Sequence, residues 1–255
     1  MAQQTSNDSL STTQTSLRII ETLRDLDGAR VTEISNVLDR PASTIHNHLS
    51  TLLNEGYVVK EADFYYLSLR FLNLGYYTER RKEEYQLASE YVDKLNEKTG
   101  LRSLFSVEEH GRAVILHTRR GEHSPWQHEN RGNQLYLHNT AVGKAIMAEF
   151  PENKIQAALD RWGMPAETDQ TIQDRETLFE QIEEVRENGY AFNRQENIEG
   201  MRAVATAVTD SVGNVVGAFS VSGAAEGIHQ NRFENELPEV LLAIANEYEL
   251  DLSLS

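Results

Sequence analysis

The segment between Pro41 and Tyr57 restricts the fold of this chain more than any other stretch. Apolar residues recur along it at the spacing of one face of an α-helix: Ile45, Leu49, Leu52 and Leu53. Short polar residues, which can hydrogen-bond to a base edge or a phosphate oxygen, fill the opposite face: Ser43, Thr44, His46, Asn47, Ser50 and Thr51. Gly56 follows, where a left-handed cap ends a helix. The segment therefore predicts an amphipathic helix with one face for a core and one for recognition.

Two shorter helices are predicted before it. The first is marked by an apolar stripe of Leu17, Ile20, Leu23 and Leu26. In the second, Thr32 is the predicted N-cap, and the inward residues are Ile34, Val37 and Leu38. The turn at residues 39–41 then leads into the amphipathic helix. This order is typical of a helix-turn-helix whose third helix reads DNA.

A β-hairpin is predicted after the third helix. Residues 57–59 and 64–67 favour strands, and the polar residues 60–63 favour the turn between them. Any one helix alone would fit a plain three-helix bundle with a polar outer face, but the turn, the polar face and the hairpin together favour a DNA-binding winged helix. The candidate DNA contacts are Thr32, Arg40, Ser43, Thr44, His46, Asn47, Ser50, Thr51 and Lys60.

Composition limits the class of protein. The 255 residues, 39% of them hydrophobic, suffice for one large or two ordinary domains with real cores. The absence of cysteine excludes disulfides, thiol nucleophiles and thiolate metal sites. No run approaches the roughly 18 apolar residues of a membrane span. The polar N-terminus, residues 1–13, lacks the apolar core of a signal peptide, so we expect a disordered arm on a cytoplasmic protein.

The net charge of −16 is unusual for a protein that binds a polyanion. Residues 1–70 hold nine acids and six bases, net −3, and the remainder holds 31 acids and 18 bases, net −13. Of the 24 bases, 18 are arginine and six are lysine. Acid excess with scarce lysine indicates adaptation to molar salt, although an ordinary acidic protein is the alternative. In such salt, counterion release contributes little, so a reader helix without Lys or Arg loses little affinity.

The remaining chain predicts a helical connector and then an α+β domain. Residues 69–98 read as a linker helix, either continuous or bent near Arg80, of a kind that often packs against its copy in a dimer. Strands flanked by helices follow, with an antiparallel end. The predicted strands are 101–107, 113–118, 133–137, 190–193, 201–209 and 215–222. The predicted helices are 141–150, 153–159, 177–188 and about 231–248, and Pro238 should kink the last helix or mark its first turn.

Several motifs together give the chain a family resemblance. Residues 137–145 (LHNTAVGKA), 189–191 (GYA), 196–202 (ENIEGMR) and 220–223 (SVSG), with the helix-turn-helix and linker, resemble the IclR family of transcription regulators over residues 14–250. The resemblance implies a winged helix and a GAF-like effector domain. It also implies dimers or dimers of dimers on palindromic double-stranded operators, with small organic acids as effectors. The predicted bounds are 1–13 for the arm, 14–68 for the winged helix, 69–98 for the linker and 99–255 for the effector domain.

By the same resemblance, an effector pocket lies at the loop 139–143, which opens a helix. Free amides at a helix N-terminus suit a carboxylate, although a plain turn capped by Thr140 is the alternative. Ser220 and Ser222 are two positions apart on a predicted strand, so both hydroxyls face the same side. The residues expected to line the pocket are Leu135, Asn139, Thr140, Ala141, Val142, Glu196, Met201, Ala203, Ser220 and Ser222. Glu196 would repel an anion, which favours a polyol acid with a hydroxyl for that carboxylate.

Three positions depart from the family pattern. Asn139 stands where a small residue or cysteine is common, and Ala203 stands where a cysteine is common, which changes the pocket lining. Asn47 stands where the reader helix often has arginine, which should change the operator sequence.

Catalytic and metal chemistry find little support in the sequence. His117, His123, His128 and His138 are close in sequence, but their spacing is not specific for a metal, so no metal or cofactor is predicted. No Ser-His-Asp arrangement, phosphate-binding glycine loop or carboxylate pair stands out, so we do not predict an enzyme. The rival hypothesis is a ligand-sensing or enzymatic GAF-like protein whose winged helix serves protein interaction. An acid-free reader face from Pro41 to Asn54 favours the DNA-binding regulator over that rival.

Overall fold

The computed structural model describes residues 9–121 and 131–254. These residues divide into two compact units, one up to Glu79 and one from Arg80 onward. Within the described ranges, no helix is both long and apolar enough to cross a membrane. The predicted fold class is confirmed: an N-terminal helix-turn-helix unit and a C-terminal α+β unit.

The N-terminal unit holds three helices around one core: α1 (Ser11–Asp25), α2 (Val31–Leu38) and α3 (Ala42–Asn54). Ile45, Leu49 and Leu52 form the buried stripe of α3, as predicted. They pack with other buried residues of the unit: Ile19, Leu23, Ala29, Ile34, Leu38, Val58 and Tyr65. This packing turns the opposite, polar face of α3 away from the core.

Several predictions within these helices are wrong in detail. Helix α1 begins at Ser11, inside the segment predicted as an arm. Ile19 and Leu23 anchor the helix in the core, and its first turns extend from that anchored part toward the N-terminus. Thr32 does not cap α2. The helix begins at Val31, so Arg30 is its N-cap residue. The Glu33 carboxylate accepts a 2.8 Å hydrogen bond from the Arg30 amide.

Four residues that were predicted to face inward are exposed instead: Leu17, Leu26, Val37 and Leu53. Helical spacing alone does not fix the edges of a buried stripe, because residues at its borders lie at the rim of the core.

The hairpin prediction is confirmed. Strand β1 (Val58–Glu61) pairs antiparallel with β2 (Phe64–Leu67) around a tight turn. Gly56, with φ of 74°, ends α3, and the amides of Gly56 and Tyr57 donate to the carbonyls of Leu53 and Leu52. This is the Schellman arrangement, which a left-handed residue makes possible. We call residues 58–67 the wing.

The segment predicted as a linker contains two helices, α4 (Arg70–Glu79) and α5 (Glu83–Thr99). Helix α4 has no buried residue within its unit. Helix α5 belongs to the C-terminal unit, where Tyr91 and Leu95 are buried against the sheet. Gly100, with φ of 66°, caps α5.

A six-stranded antiparallel sheet organises the C-terminal unit, in the order β5-β4-β3-β8-β7-β6. Its strands are β3 (Arg102–Glu109), β4 (Arg112–Arg119), β5 (Gln134–Leu135), β6 (Ala191–Arg194), β7 (Met201–Thr209) and β8 (Val215–Ala224). The central strands β3, β7 and β8 alternate between two cores, because successive side chains of a strand face opposite sides.

Helices cover both faces of this sheet. One face packs against α6 (Ala141–Ala148), α7 (Glu152–Trp162) and α8 (Arg175–Asn188). The other packs against α5 and α9 (Leu237–Leu254), which follows a π-helical turn at Arg232–Glu236. Pro238 is the second residue of α9 and directly follows the π-helical turn, so of the two predicted roles its position fits the first turn of the helix.

Helix α6 lies unusually close to the chain that precedes it. A Cβ atom on Gly143 would stand 2.2 Å from the carbonyl oxygen of Leu137. Only glycine fits that contact, which holds the N-terminus of α6 against residues 137–140. This end of α6, at Thr140, Ala141 and Val142, borders a cavity.

Candidate functional site

The outer face of α3 is a candidate nucleic-acid interface. Ser43, His46, Asn47 and Thr51 are exposed, whereas Thr44 and Ser50 are half-buried. Thr32, Arg40 and Lys60 are exposed on the neighbouring elements. None of these nine side chains forms an ion pair with a residue that the structure describes. Apart from the Thr51 hydroxyl, their polar side-chain groups are therefore available to a duplex.

Local contacts steady this face. Ser16 and His48 share a 2.8 Å hydrogen bond between Oγ and Nδ1, which ties α1 to α3. Thr51 donates through its hydroxyl to the carbonyl of Asn47, so that part of its capacity is used within the helix. The Lys60 ammonium lies 5.3 Å from the centre of the Tyr65 ring on the wing.

A second candidate site is a cavity of about 70 Å³ between the sheet and the N-terminus of α6, which we call the effector cavity. Eight of the ten residues predicted for the pocket line it: Leu135, Thr140, Ala141, Val142, Met201, Ala203, Ser220 and Ser222. Thr140 is also the N-cap of α6, since its hydroxyl accepts from the Gly143 amide at 3.1 Å. The sequence left a capped turn and a pocket wall as alternatives, and Thr140 belongs to both.

The other two predicted residues, Asn139 and Glu196, do not line the effector cavity. Asn139 is fully buried, and its amide nitrogen donates to the Glu167 carboxylate at 2.7 Å. Its position before the N-cap turns it away from the cavity. Glu196 accepts from Lys144, which binds both carboxylate oxygens at 2.8 and 2.7 Å. A polyol acid was expected because of a Glu196 carboxylate inside the pocket, and that carboxylate does not line the cavity.

The Lys144–Glu196 pair is a buried ion pair beside the cavity. The side chains are 2% and 6% exposed, and Lys144 also donates to Gln181 at 2.8 Å. Burial lowers the pKa of Lys144, and the Glu196 carboxylate opposes that shift. Lys144 lies on α6 and Glu196 on the loop after β6, so the pair joins two elements that border the effector cavity.

Arg102 is the functional candidate that the sequence reading missed. It lines the effector cavity, and its Nη2 atom is buried without a hydrogen-bond partner among the described residues. The Ser222 hydroxyl, on a side chain 3% exposed, is likewise unpartnered. Burial lowers the pKa of the Arg102 guanidinium, because the charged group has lost water without gaining an anion. The sequence signal that could have identified it is a charged residue two positions before Leu104, a spacing that puts both side chains on the same face of the strand.

One row of residues across the sheet forms the floor of the effector cavity. Arg102 on β3 pairs with Ser222 on β8, Ser222 pairs with Ala203 on β7, and Ala203 pairs with Asn193 on β6. Paired residues present their side chains on the same face, so the four stand side by side. Asn193 and its neighbour Asn197, which also line the cavity, were not predicted either.

The cavity combines features that suit a small anion with an organic body. The first turn of α6, at Ala141 and Val142, presents a helix N-terminus, where amides and the helix dipole favour negative charge. Arg102 and Ser222 supply donors on the opposite wall. Leu104, Ile115 and Leu135 supply apolar surface.

The histidines do not assemble into a metal site in the described ranges. Nε2 of His117 donates to the Tyr85 carbonyl, and Nε2 of His138 donates to the Pro165 carbonyl. His123 and His128 lie outside the described residues. Among residues 9–121 and 131–254, no cluster of three or more His, Asp or Glu could hold a metal ion.

Comparison with known proteins gives a consistent picture. A family model described as the bacterial transcriptional regulator IclR C-terminal domain matches residues 81–249, and one for the IclR helix-turn-helix domain matches residues 13–62. The probable HTH-type transcriptional regulator ArcR of Halobacterium salinarum is 29% identical over 240 residues, covering 92% of this chain and 91% of that protein.

Solved structures share the fold over nearly the whole chain. The IclR protein of Thermotoga maritima superposes with a TM-score of 0.78 at 23% identity, covering 96% of this chain and 100% of that one. An IclR homologue from Microbacterium hydrocarbonoxydans, complexed with 4-hydroxybenzoate, superposes with a TM-score of 0.80 at 18% identity, with the same coverage of both chains.

The buried ion pair yields a stability prediction. Lys144→Met leaves the Glu196 carboxylate buried without its cation, which should reduce the free energy of unfolding by about 3–5 kcal/mol. The double variant Lys144→Met/Glu196→Leu removes both charges and should recover most of that loss. Urea denaturation followed by circular dichroism measures both.

Lys154→Met serves as the matched control, because the Lys154–Glu108 pair has a lysine that is 46% exposed. Its removal should cost less than about 1 kcal/mol. An equal loss in Lys144→Met and Lys154→Met would contradict a special role for the buried pair.

Proposed function

The chain belongs to the IclR family of transcription regulators, and from that premise we propose that it binds palindromic operator DNA as a homodimer or a dimer of dimers under the control of a small organic acid. The family matches over residues 13–62 and 81–249 carry the regulatory part of the proposal. Relatives of this chain are transcription regulators rather than enzymes, so the effector domain is assigned sensing and not catalysis. Operator binding places the proposed activity in the cytoplasm.

DNA recognition is assigned to α3 and its neighbours. The polar face of α3 would enter the major groove, with Ser43, His46 and Asn47 at base edges. The remaining candidates, Thr32, Arg40, Thr44, Ser50, Thr51 and Lys60, would contact the backbone or adjoining bases. Asparagine pairs bidentately with adenine, so Asn47 is the residue we expect to contribute most to specificity.

The charge distribution supports operation in high salt. The reader helix has no lysine or arginine between Ser43 and Glu55, and the chain carries a net charge of −16. At molar salt the electrostatic part of DNA binding is small, so hydrogen bonds and shape carry the affinity. A relative from Halobacterium salinarum is in keeping with a halophilic origin.

The effector is assigned to the effector cavity and to a carboxylate. The Nη2 atom of Arg102, buried without a partner among the described residues, is the observation that carries this assignment, because a buried donor left unpaired is costly. Thr140 and the first amides of α6 would receive the acid from the other wall. A 4-hydroxybenzoate complex of a protein with the same fold is in keeping with an organic acid here.

Dimerisation is assigned in part to α4. Large apolar side chains cluster at and beside this helix with high exposure: Leu69, Leu72, Leu74, Tyr76 and Tyr77. Exposed apolar clusters of this kind mark protein contacts, and a second copy is the occupant that a palindromic operator requires.

Replacing Asn47 tests DNA recognition. Asn47→Ala should weaken operator binding by about 1–3 kcal/mol, because it removes a bidentate base contact without touching the core. Gel-shift titration on the promoter beside the gene, in high salt, measures the change. Asn54→Ala, on the last residue of the same helix, is the matched control and should bind as wild type. Equal affinity of Asn47→Ala and wild type would remove Asn47 from the interface.

Replacing Leu72, which is 71% exposed, tests the dimer surface. Leu72→Asp should raise the dimer dissociation constant at least tenfold, because a charge would be buried in an apolar contact. Light scattering against the chain mass of 28.9 kDa reports the shift. Val212→Asp, at a residue 78% exposed on the β7–β8 turn, is the control. A monomeric wild type at working concentration would refute the proposal.

Replacing Arg102 tests the effector assignment. Arg102→Gln should abolish binding of organic acids in calorimetry, because it removes the cation that pairs with the carboxylate. Arg202→Gln is the matched control, since Arg202 does not line this cavity and its guanidinium donates to the Gln230 side chain. Acid binding that survives in Arg102→Gln with unchanged affinity would place the carboxylate elsewhere.

A further inference from the structure

A second cavity adjoins the effector cavity. It has a volume of about 210 Å³, and we call it the basic cavity. Arg102 and Ser222 line both cavities and form the wall between them. The rest of the lining of the basic cavity comes from the end of α5 and the residues before β3, from Gly121 after β4, from the end of β8 and the turn that follows it, and from Arg232 of the π-helical turn.

The basic cavity has a charge opposite to that of its surroundings. Two arginines line it, Arg102 and Arg232, and the described lining includes no acidic side chain. Residues 71–255 carry 31 acids and 18 bases, so a described lining with two cations and no acid contrasts with the composition of the unit. Arg232 donates to the Thr99 carbonyl, but no described carboxylate pairs with either arginine.

The unpartnered groups point to a ligand at the shared wall. Ser222 is 3% exposed and its hydroxyl has no partner, and Nη2 of Arg102 is buried with none. Buried donors of this kind normally find a partner in the protein, so the expected partner is a bound one. Because both groups border both cavities, that ligand has access to the two spaces at once.

The two volumes bear on the size of the ligand. An apolar cavity of roughly 150 Å³ holds a benzene ring. The effector cavity, at about 70 Å³, suits only a small fragment, whereas the basic cavity exceeds that reference. A ligand that filled the effector cavity alone would leave Arg232 without an anion.

We propose that the effector is a dicarboxylic acid that spans both cavities, with one carboxylate between Arg102 and the N-terminus of α6 and the second paired with Arg232. This inference rests on the proposed function, since it specifies the acid that the effector domain senses. Arg102 and Ser222 are the last pair of the β3–β8 ladder, so the methylene chain would pass around the start of β3, beside this pair. Leu101 and Ile228 provide apolar surface beside it.

Calorimetry with acids of matched length tests the inference. The probes are succinate, glutarate and adipate, each compared with the monocarboxylate of the same carbon number, in a chloride buffer. On wild type, the best-fitting dicarboxylate should bind at least tenfold more tightly than its monocarboxylate. Arg232→Gln should lower the dicarboxylate affinity to the monocarboxylate level and leave monocarboxylate binding unchanged. Arg232→Lys, which keeps the charge, should restore part of the preference.

Arg202→Gln is the control, because Arg202 lines neither cavity, and it should retain the full preference. Equal affinities for the two classes on wild type, together with loss of both in Arg102→Gln, would overturn the dicarboxylate and leave the proposed acid effector standing. An equal loss of both classes in Arg232→Gln would also overturn it, because Arg232 would then serve the first carboxylate. Failure of every acid to bind would overturn both proposals.

Discussion

A half-buried guanidinium, with one nitrogen fully buried and unpartnered among the described residues, is the constraint around which the effector unit is organised. Arg102 stands at the first position of β3, with Nη2 out of contact with solvent and without a protein partner. Such a charge is costly to bury, and a fold retains it when something outside the chain compensates it. In a unit with a large excess of acids, carboxylates were available to neutralise it. No acidic side chain is among the described lining residues of either cavity, which leaves the cation for a ligand.

The rest of the fold places the opposite wall and keeps competing charge away. Gly143 lets α6 approach Leu137, which fixes the helix N-terminus over the row from Arg102 to Asn193. Lys144, on the same helix, holds the Glu196 carboxylate, so that this acid does not reach the cavity. Loss of Lys144 would thus affect both the stability of the unit and the electrostatics beside the ligand.

Hydrophobic periodicity predicted the positions of the helices and strands well, and the contacts of individual side chains less well. The strands, the helices and the wing follow from alternation and helical spacing, and the family motifs brought Ser220, Ser222 and Thr140 to one cavity. The faces of Asn139 and Glu196 depended on partners far away in sequence, Glu167 and Lys144, which no local pattern reveals. Arg102 was missed for a similar reason, since its role depends on the register that pairs β3 with β8. The reader residues, the domain bounds and the oligomeric state stay predictions.

The most direct test of this account is a crystal structure of the protein grown with glutarate. The account predicts a carboxylate within hydrogen-bonding distance of the Arg102 guanidinium and the Ser222 hydroxyl, at the wall between the two cavities. A structure with glutarate bound elsewhere, and with Arg102 still unpartnered or paired to a side chain of the protein, would contradict it.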